Sequence, residues 1–124
     1  MSKQNIAIIG LGRIGSAFLA AMLQKKNSIN LVCVAEQAST PAKAQAVAKG
    51  IKIATLDEIV AMGDKIDIIF ELTGTHDVRK ELREKLLASN NAHTVIASET
   101  IARLIGALVV DANIPVIEGR KTGY

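Results

Sequence analysis

The stretch Asn5-Ile-Ala-Ile-Ile-Gly10-Leu-Gly-Arg-Ile-Gly15-Ser-Ala-Phe18 decides the fold of this chain of 124 residues. Its first five residues form an apolar, β-branched segment that stops at a glycine, which is the pattern of a buried strand. The apolar residues that follow recur at helical spacing. They are Ile14, Ala17, Phe18, Ala21 and Met22. The stretch therefore predicts a strand, a tight turn with the spacing Gly-x-Gly-x-x-Gly, and a helix.

Each residue of the glycine turn suits the binding of a diphosphate. Gly10 lets the chain turn off the strand, Gly12 leaves the backbone amides open to a pyrophosphate, and Gly15 lets the helix lie close to the strand. The helix starts at Arg13 and Ile14, where unpaired N–H groups carry partial positive charge, and the Arg13 side chain can lean on the phosphates. We therefore predict that these five residues bind a dinucleotide. The alternative is a tight turn without a ligand.

The second part of this pattern is an acid, Glu36, which lies 21 residues after Gly15 and directly follows the apolar run 31–35. A carboxylate at the end of a second strand accepts hydrogen bonds from ribose hydroxyls and repels a 2′-phosphate. No arginine follows Glu36 before Arg79, so the sequence predicts NAD in preference to NADP. Nearby polar residues can soften that preference; they are Gln37, Ser39 and Lys43.

Strand-like and helix-like segments alternate along the rest of the chain. Further strands are predicted at 29–35, 51–54, 66–72, 93–97 and 114–118. Helices are predicted to begin after the capping residues Thr40, Thr55, Thr75 and Ser98. Near-continuous apolar strands that alternate with helices indicate an α/β fold, a doubly wound parallel sheet in three layers with about six strands. The short connections predict a single domain over 1–124.

Composition excludes several classes of protein. Apolar residues make up 49 % and charged residues 22 % of the chain, which excludes a disordered tail. A formal net charge of +3 with scattered basic residues and only three aromatic residues does not predict nucleic-acid binding. The longest apolar stretch, 101–110, is too short for a bilayer. We therefore expect a cytoplasmic protein without a membrane partner.

Few side chains outside the glycine turn have the chemistry of an active site. Cys33 is predicted to be a buried, inert thiol. His76 is predicted at the exposed start of a helix, and His93 is predicted at the edge of the sheet opposite the binding crevice. These residues form no metal-ligand spacing, so we predict neither a metal site nor a catalytic residue.

Two segments carry a resemblance to known enzymes. Ile6–Gly15 and Ile66-Asp-Ile-Ile-Phe-Glu-Leu-Thr-Gly74 resemble the N-terminal domains of homoserine dehydrogenase, aspartate dehydrogenase and dihydrodipicolinate reductase, over about 5–118. The resemblance implies a Rossmann fold that binds NAD, with Thr73 and Gly74 touching the dinucleotide near its nicotinamide ribose and Thr75 beginning a helix beside it. On the residues alone, a helix cap and a turn glycine explain this loop equally well.

The resemblance does not extend to catalysis. The homoserine dehydrogenase group carries a lysine just after the fifth strand, where this chain has Ala97-Ser-Glu-Thr100. In the resembled families a second domain follows the sixth strand and supplies the substrate site, and we expect that catalytic domain to be absent here. The chain is therefore expected to be inactive on its own.

Three functions remain open on these grounds. The first is the NAD(H)-binding domain of a homoserine- or aspartate-dehydrogenase-like oxidoreductase that works with a separate catalytic partner. The second is a non-enzymatic, NAD(H) redox-sensing module. The third, a coenzyme A module, is disfavoured because Glu36 would face a phosphate-bearing adenosine. We also expect a homodimer through the predicted sixth strand, at Ile114, Val116 and Ile117.

Overall fold

Strands and helices alternate along residues 3–108, the part of the chain that the computed structural model describes. In chain order the elements are β1 Gln4–Ile9, α1 Arg13–Leu23, β2 Ile29–Ala35, α2 Pro41–Ala48, β3 Lys52–Ile53, α3 Leu56–Ala61, β4 Ile68–Glu71, α4 His76–Ala88, β5 Val95–Ala97 and α5 Glu99–Leu108. A short 3₁₀ turn, Gly63–Lys65, lies between α3 and β4.

The five described strands form one parallel sheet in the order β3-β2-β1-β4-β5. The chain winds outward from β1 to β3, crosses back to β4 on the other side of β1, and continues to β5. This confirms the predicted doubly wound α/β fold. The sixth strand predicted at 114–118 lies outside the described residues.

Helices cover both faces of the sheet, which makes three layers. One core cluster joins β1 side chains such as Ile6 and Ile8 to buried residues of α1, α2 and α5. The other joins Ala7 and Ile9 to buried residues of α3 and α4. Because the central strands β1 and β4 are buried on both faces, their sequences are almost continuously apolar rather than alternating.

The register of the central strands aligns their carboxyl ends. Ile9 of β1 is level with Ala35 of β2 and with Glu71 of β4. A register shift in β2 makes this possible: Ile6 pairs with Leu31 and Ala7 with Cys33, so Val32 is an extra, bulged residue. The residues that follow the three strands therefore start at one common edge of the sheet.

Of the four predicted helix caps, those at Thr40 and Thr55 form their side-chain bonds, and α5 begins directly after Ser98 as predicted. The hydroxyl of Thr40 accepts a hydrogen bond from the Lys43 amide at 3.1 Å, and Thr55 with Glu58 forms a complete capping box. Thr75 occupies the N-cap position of α4, as predicted, but its hydroxyl makes no capping bond. The Thr75 amide instead donates to the hydroxyl of Thr73 at 3.0 Å.

The buried face of α1 differs from the predicted stripe. Leu19 is fully buried, whereas Ala17, Phe18 and Ala21 are only half-buried. The side of α1 that carries Gly15 lies against the sheet. The buried side chains of the helix are therefore those on the same side as this glycine, such as Leu19. Phe18 still packs on Phe70, with ring centroids 5.1 Å apart. No helix within residues 3–108 has the length and apolar character needed to cross a bilayer.

Candidate functional site

A crevice of about 640 Å³ opens at the carboxyl edge of the sheet. This is the size of a small-molecule site. Four segments line it: the β1–α1 turn, the residues after β2, the β3–α3 connection and the β4–α4 loop. Its walls are formed by Ile9, Gly10, Gly12, Ala35, Glu36, Gln37, Lys43, Ile53, Ala54, Thr55, Leu56, Leu72, Thr73, Thr75 and Val78.

The three glycines of the β1–α1 turn meet three different surroundings. Gly10 has φ +94°, and a Cβ there would lie 2.8 Å from the amide nitrogen of Thr73. A Cβ at Gly15 would overlap the carbonyl oxygen of Gly10, so helix and turn are in direct contact. A Cβ at Gly12 would meet nothing within 4 Å. Space for a ligand therefore exists at Gly12 alone of the three.

The start of α1 presents free backbone amides. Gly12 occupies the N-cap position and supplies no side chain to cap the first turn. The Arg13 side chain is exposed and can reach a ligand. The Ile14 side chain is buried in the core, so this residue can contact a ligand only through its backbone amide. An uncapped helix start of this kind attracts anions through its N–H groups and the helix dipole.

Glu36 lies beside the glycine turn, as its sequence spacing predicts. Its Oε1 accepts a hydrogen bond from the Leu11 amide at 2.7 Å, and its Oε2 accepts one from the Ala38 amide at 3.0 Å. The two bonds fix a half-buried carboxylate at the mouth of the turn. A carboxylate oxygen has more than one acceptor direction, so Glu36 can still accept hydrogen bonds from a ligand.

The buried carboxylate of Glu71 belongs to the site but was not among the predicted site residues. It is fully buried at the end of β4, accepts hydrogen bonds from the amide of Thr73 at 3.0 Å and from its hydroxyl, and pairs with Nε of Arg79 at 3.2 Å. This arrangement holds the β4–α4 loop against the glycine turn. The only sequence signal is an acid that closes an apolar strand.

The predicted site residues of the β4–α4 loop separate into two groups. Thr73 and Thr75 line the crevice. Gly74, with φ +71°, lies between them without lining the crevice, and the position that a Cβ would take there faces the carboxylate of Glu99. The apolar wall of the crevice, which consists of Ile53, Ala54 and Leu56, was also not predicted. Apolar residues in and beside a short strand are indistinguishable in sequence from residues of the hydrophobic core.

The remaining candidates lie apart from the crevice or are buried. His93 Nε2 contacts Asp67 Oδ1 at 2.7 Å, before β5, at the amino edge of the sheet. The hydrogen bond from the Asn5 amide, aided by His93, lowers the pKa of Asp67. Burial raises the pKa of the Cys33 thiol to about 11, which leaves it unreactive at neutral pH. His76 is exposed at the start of α4, and residues 3–108 hold no cluster of metal-binding side chains.

Open parallel sheets bind ligands beyond the carboxyl ends of their strands, where the strand order reverses. Here that position is the gap between β1 and β4, and it holds the glycine turn with Glu36 beside it. The chain thus falls in the class of dinucleotide-binding α/β domains. More specifically, it belongs to the Gfo/Idh/MocA family, described as an oxidoreductase family with an NAD-binding Rossmann fold, whose profile matches residues 4–98. This confirms NAD as the cofactor.

Solved structures with the same fold include the enzymes that the sequence resembles. A homoserine dehydrogenase from Thiobacillus denitrificans shares 24 % identity at a TM-score of 0.58, over 90 % of this chain and 27 % of its own. The homoserine dehydrogenase of S. aureus shares 18 % sequence identity at a TM-score of 0.61, over 90 % of this chain and 30 % of its own. A Sinorhizobium meliloti protein described as a myo-inositol dehydrogenase shares 26 % sequence identity at a TM-score of 0.60, over 88 % of this chain and 33 % of its own.

The activities and substrates of these longer proteins are not assigned to this chain. The chain spans about a third or less of the length of each of these structures, and the likeness to the two homoserine dehydrogenases shows the fold alone. A search of curated proteins finds no significant match. The chain is therefore an NAD-binding Rossmann domain of its family.

Proposed function

We propose that the chain holds NAD(H) across the carboxyl edge of the sheet and presents its nicotinamide to a catalytic partner. The binding residues are Gly10, Gly12, Arg13, Ile14, Gly15, Glu36, Thr73, Gly74 and Thr75. The observation that carries the proposal is the 2.7 Å bond between Glu36 Oε1 and the Leu11 amide. It brings the carboxylate that recognises ribose next to the amides that recognise phosphate.

The adenosine half of the dinucleotide binds on the β2–β3 side. The ribose hydroxyls donate to the carboxylate of Glu36, and the adenine packs on the apolar wall formed by Ile53, Ala54 and Leu56. A 2′-phosphate would face the Glu36 carboxylate and be repelled, which favours NAD over NADP. Lys43 also lines this end of the crevice, and its cation weakens that preference without reversing it.

The diphosphate lies over Gly12 and the start of α1, where the amides of Arg13 and Ile14 face it and the Arg13 side chain is free to approach it. Thr73, Gly74 and Thr75 support the second ribose from the β4–α4 loop. Hydride transfer also requires a held substrate and a group that exchanges a proton. A partner domain or a separate chain supplies both. A free, buried Cys33 agrees with function in the reducing cytoplasm.

The test is calorimetric titration of the chain with NADH and with NADPH. We expect NADH to bind more tightly. In Glu36→Gln, the loss of the charged acceptor weakens NADH binding about tenfold, while NADPH binding holds or improves because the repulsion is gone. Glu84→Gln removes an equal charge from an exposed position on α4 and should change neither. Absence of NADH binding, or the same NADH-to-NADPH ratio in Glu36→Gln, would refute the proposal.

We further infer that a second copy of the chain covers the exposed apolar side of α5. Ile101, Leu104 and Leu108 are 43 %, 55 % and 73 % exposed along this helix, and Val95 of β5 is 57 % exposed. The sequence continues directly into the apolar residues at 114, 116 and 117. A self-complementary patch of this kind suits a twofold dimer.

A further inference from the structure

A second carboxylate, Glu99, lies next to the crevice rather than in its lining, on the side away from Glu36. Ala97, the last residue of β5, is level with Phe70 of β4, and Glu99 begins α5 two residues later. Its Oε1 and Oε2 lie 3.5 and 3.6 Å from the position that a Cβ would take at Gly74. The carboxylate therefore lies directly over the β4–α4 loop, at the same edge of the sheet as the glycine turn.

The negative charge of Glu99 is not neutralised within the described part of the chain. Every ion pair found among residues 3–108 involves other acids: Glu71 with Arg79, Asp57 and Glu81 with Lys85, and Asp67 with His93. No side-chain hydrogen bond in the same part of the chain ends on the Glu99 carboxylate either. Within residues 3–108, therefore, no cation at ion-pair distance offsets the charge that Glu99 carries beside the crevice.

The proposed binding mode brings the nicotinamide toward this carboxylate. The strand order runs β2, β1, β4, β5 across the crevice, and three strand spacings amount to about 14 Å. With the adenosine at the end of β2 and the diphosphate at the start of α1, the second nucleoside extends over β4 toward β5. Gly74 has no side chain to separate the ring from Glu99.

We propose that Glu99 makes the site select the oxidised form of the dinucleotide. The oxidised nicotinamide ring carries one positive charge and the reduced ring carries none, whereas the two ribose groups, the adenine and the diphosphate are the same in both forms. A nearby carboxylate attracts only the oxidised ring. This inference rests on the proposed NAD site and adds to it a preference for one redox state.

The measured quantity is the ratio of the dissociation constant of NADH to that of NAD⁺. For a charge pair about 6 Å apart in a site open to water, with an effective dielectric constant between roughly 40 and 80, the ratio changes roughly three- to tenfold. We expect Glu99→Gln to lower the ratio by this factor and Glu99→Lys to lower it further. Raising the salt concentration should reduce the ratio in the unaltered chain and have little effect in Glu99→Gln.

Calorimetric titrations of NAD⁺, NADH and ADP-ribose separate this inference from the proposed function. ADP-ribose lacks only the nicotinamide ring, so its binding reports the adenosine, the diphosphate and the second ribose without the ring. The affinity for ADP-ribose should change in Glu99→Gln by no more than it changes in Glu84→Gln. Glu84→Gln is the reference because it removes the same charge from the exposed side of α4, outside the lining of the crevice.

Two failures have different meanings. If ADP-ribose does not bind the unaltered chain, the proposed NAD site is wrong and the preference goes with it. If ADP-ribose binds but the ratio is the same in the unaltered chain, Glu99→Gln and Glu84→Gln, only the role of Glu99 is overturned. Should Glu99→Gln fold poorly because α5 loses an acid from its first turn, the salt dependence of the ratio in the unaltered chain decides the question.

Discussion

At the scale of single residues, two glycines of one turn meet opposite physical requirements. At Gly15 a side chain has no room, because its Cβ would overlap the Gly10 carbonyl oxygen. At Gly12 a side chain would have room, because nothing lies within 4 Å of its Cβ position. Gly15 is therefore required by the packing of the turn against α1. Gly12 is not required by packing, and its missing side chain leaves space for the proposed ligand.

Alanine substitutions should separate these two requirements. We expect Gly15→Ala to lower the free energy of unfolding by about 3 kcal/mol, since the backbone of the turn or helix must move. We expect Gly12→Ala to change stability by less than about 1 kcal/mol and to weaken NADH binding at least tenfold, since its methyl group occupies the space for the diphosphate. Urea unfolding and NADH titration measure the two effects. Similar loss of stability in both variants would contradict this assignment.

The residues of the site differ in how far the sequence reveals them. Glu36 and the glycine turn could be predicted because their positions follow from local patterns: a glycine spacing, and an acid directly after an apolar strand. The burial of Glu71 could not, because it depends on Arg79 reaching back from the next helix to its carboxylate. Glu99 escaped for the same reason, since its place over Gly74 depends on how β4 and β5 pair.

At the scale of secondary-structure elements, Glu71 connects a strand, a loop and a helix. It ends β4, binds the amide and hydroxyl of Thr73, and pairs with Arg79 in the first turns of α4. Thr73 in turn contacts the glycine turn, where its amide nitrogen approaches Gly10. The orientation of the β4–α4 loop, and with it one wall of the crevice, therefore depends on a single buried charge.

Removal of the arginine should leave that charge without its cation. We expect Arg79→Gln to lower the free energy of unfolding by about 1–3 kcal/mol, less than for a fully buried pair because the Arg79 side chain is 29 % exposed. Arg83→Gln removes the same charge one turn later on the exposed side of α4 and should cost less than about 0.5 kcal/mol. Equal stabilities of the two variants would show that the pair contributes nothing.

Sequence patterns gave the elements more accurately than their ends. The bounds of β2 match the prediction, and the helices begin near their predicted caps. However, three strands are shorter than predicted: β3 pairs only Lys52 and Ile53, β4 spans Ile68–Glu71 instead of 66–72, and β5 pairs only three residues. The length of each strand depends on how much of the neighbouring strand it meets. An apolar run alone does not contain that information.

At the scale of the whole molecule, the two outer sides of the domain differ in character. The exposed side of α4 carries mostly charged residues, with an ion pair between Glu81 and Lys85 at 3.7 Å. The exposed side of α5 carries leucine and isoleucine. Among residues 3–108, the apolar exposed face of α5 is therefore the one that the proposed dimer would cover.

Light scattering should detect that association. We expect the chain to form a dimer whose population grows with concentration, and Leu104→Lys to shift it to monomer by placing a charge in the interface. Leu87→Lys is the control, because Leu87 is 81 % exposed on α4, away from α5, and its substitution should leave the dimer intact. A monomeric unaltered chain at high concentration would indicate that this side receives a different, catalytic partner instead.

The bulge at Val32 makes the crevice insensitive to a change in strand length. Val32 and Cys33 both face the core beneath α3 and α4. Regular pairing resumes at Cys33, after the extra residue, and aligns Ala35 with Ile9. A chain shortened by Val32 alone would pair Leu31 and Cys33 with the same two partners, and Glu36 would remain level with Gly10. The bulge thus lets the amino half of β2 lose a residue while Glu36 keeps its place beside the glycine turn.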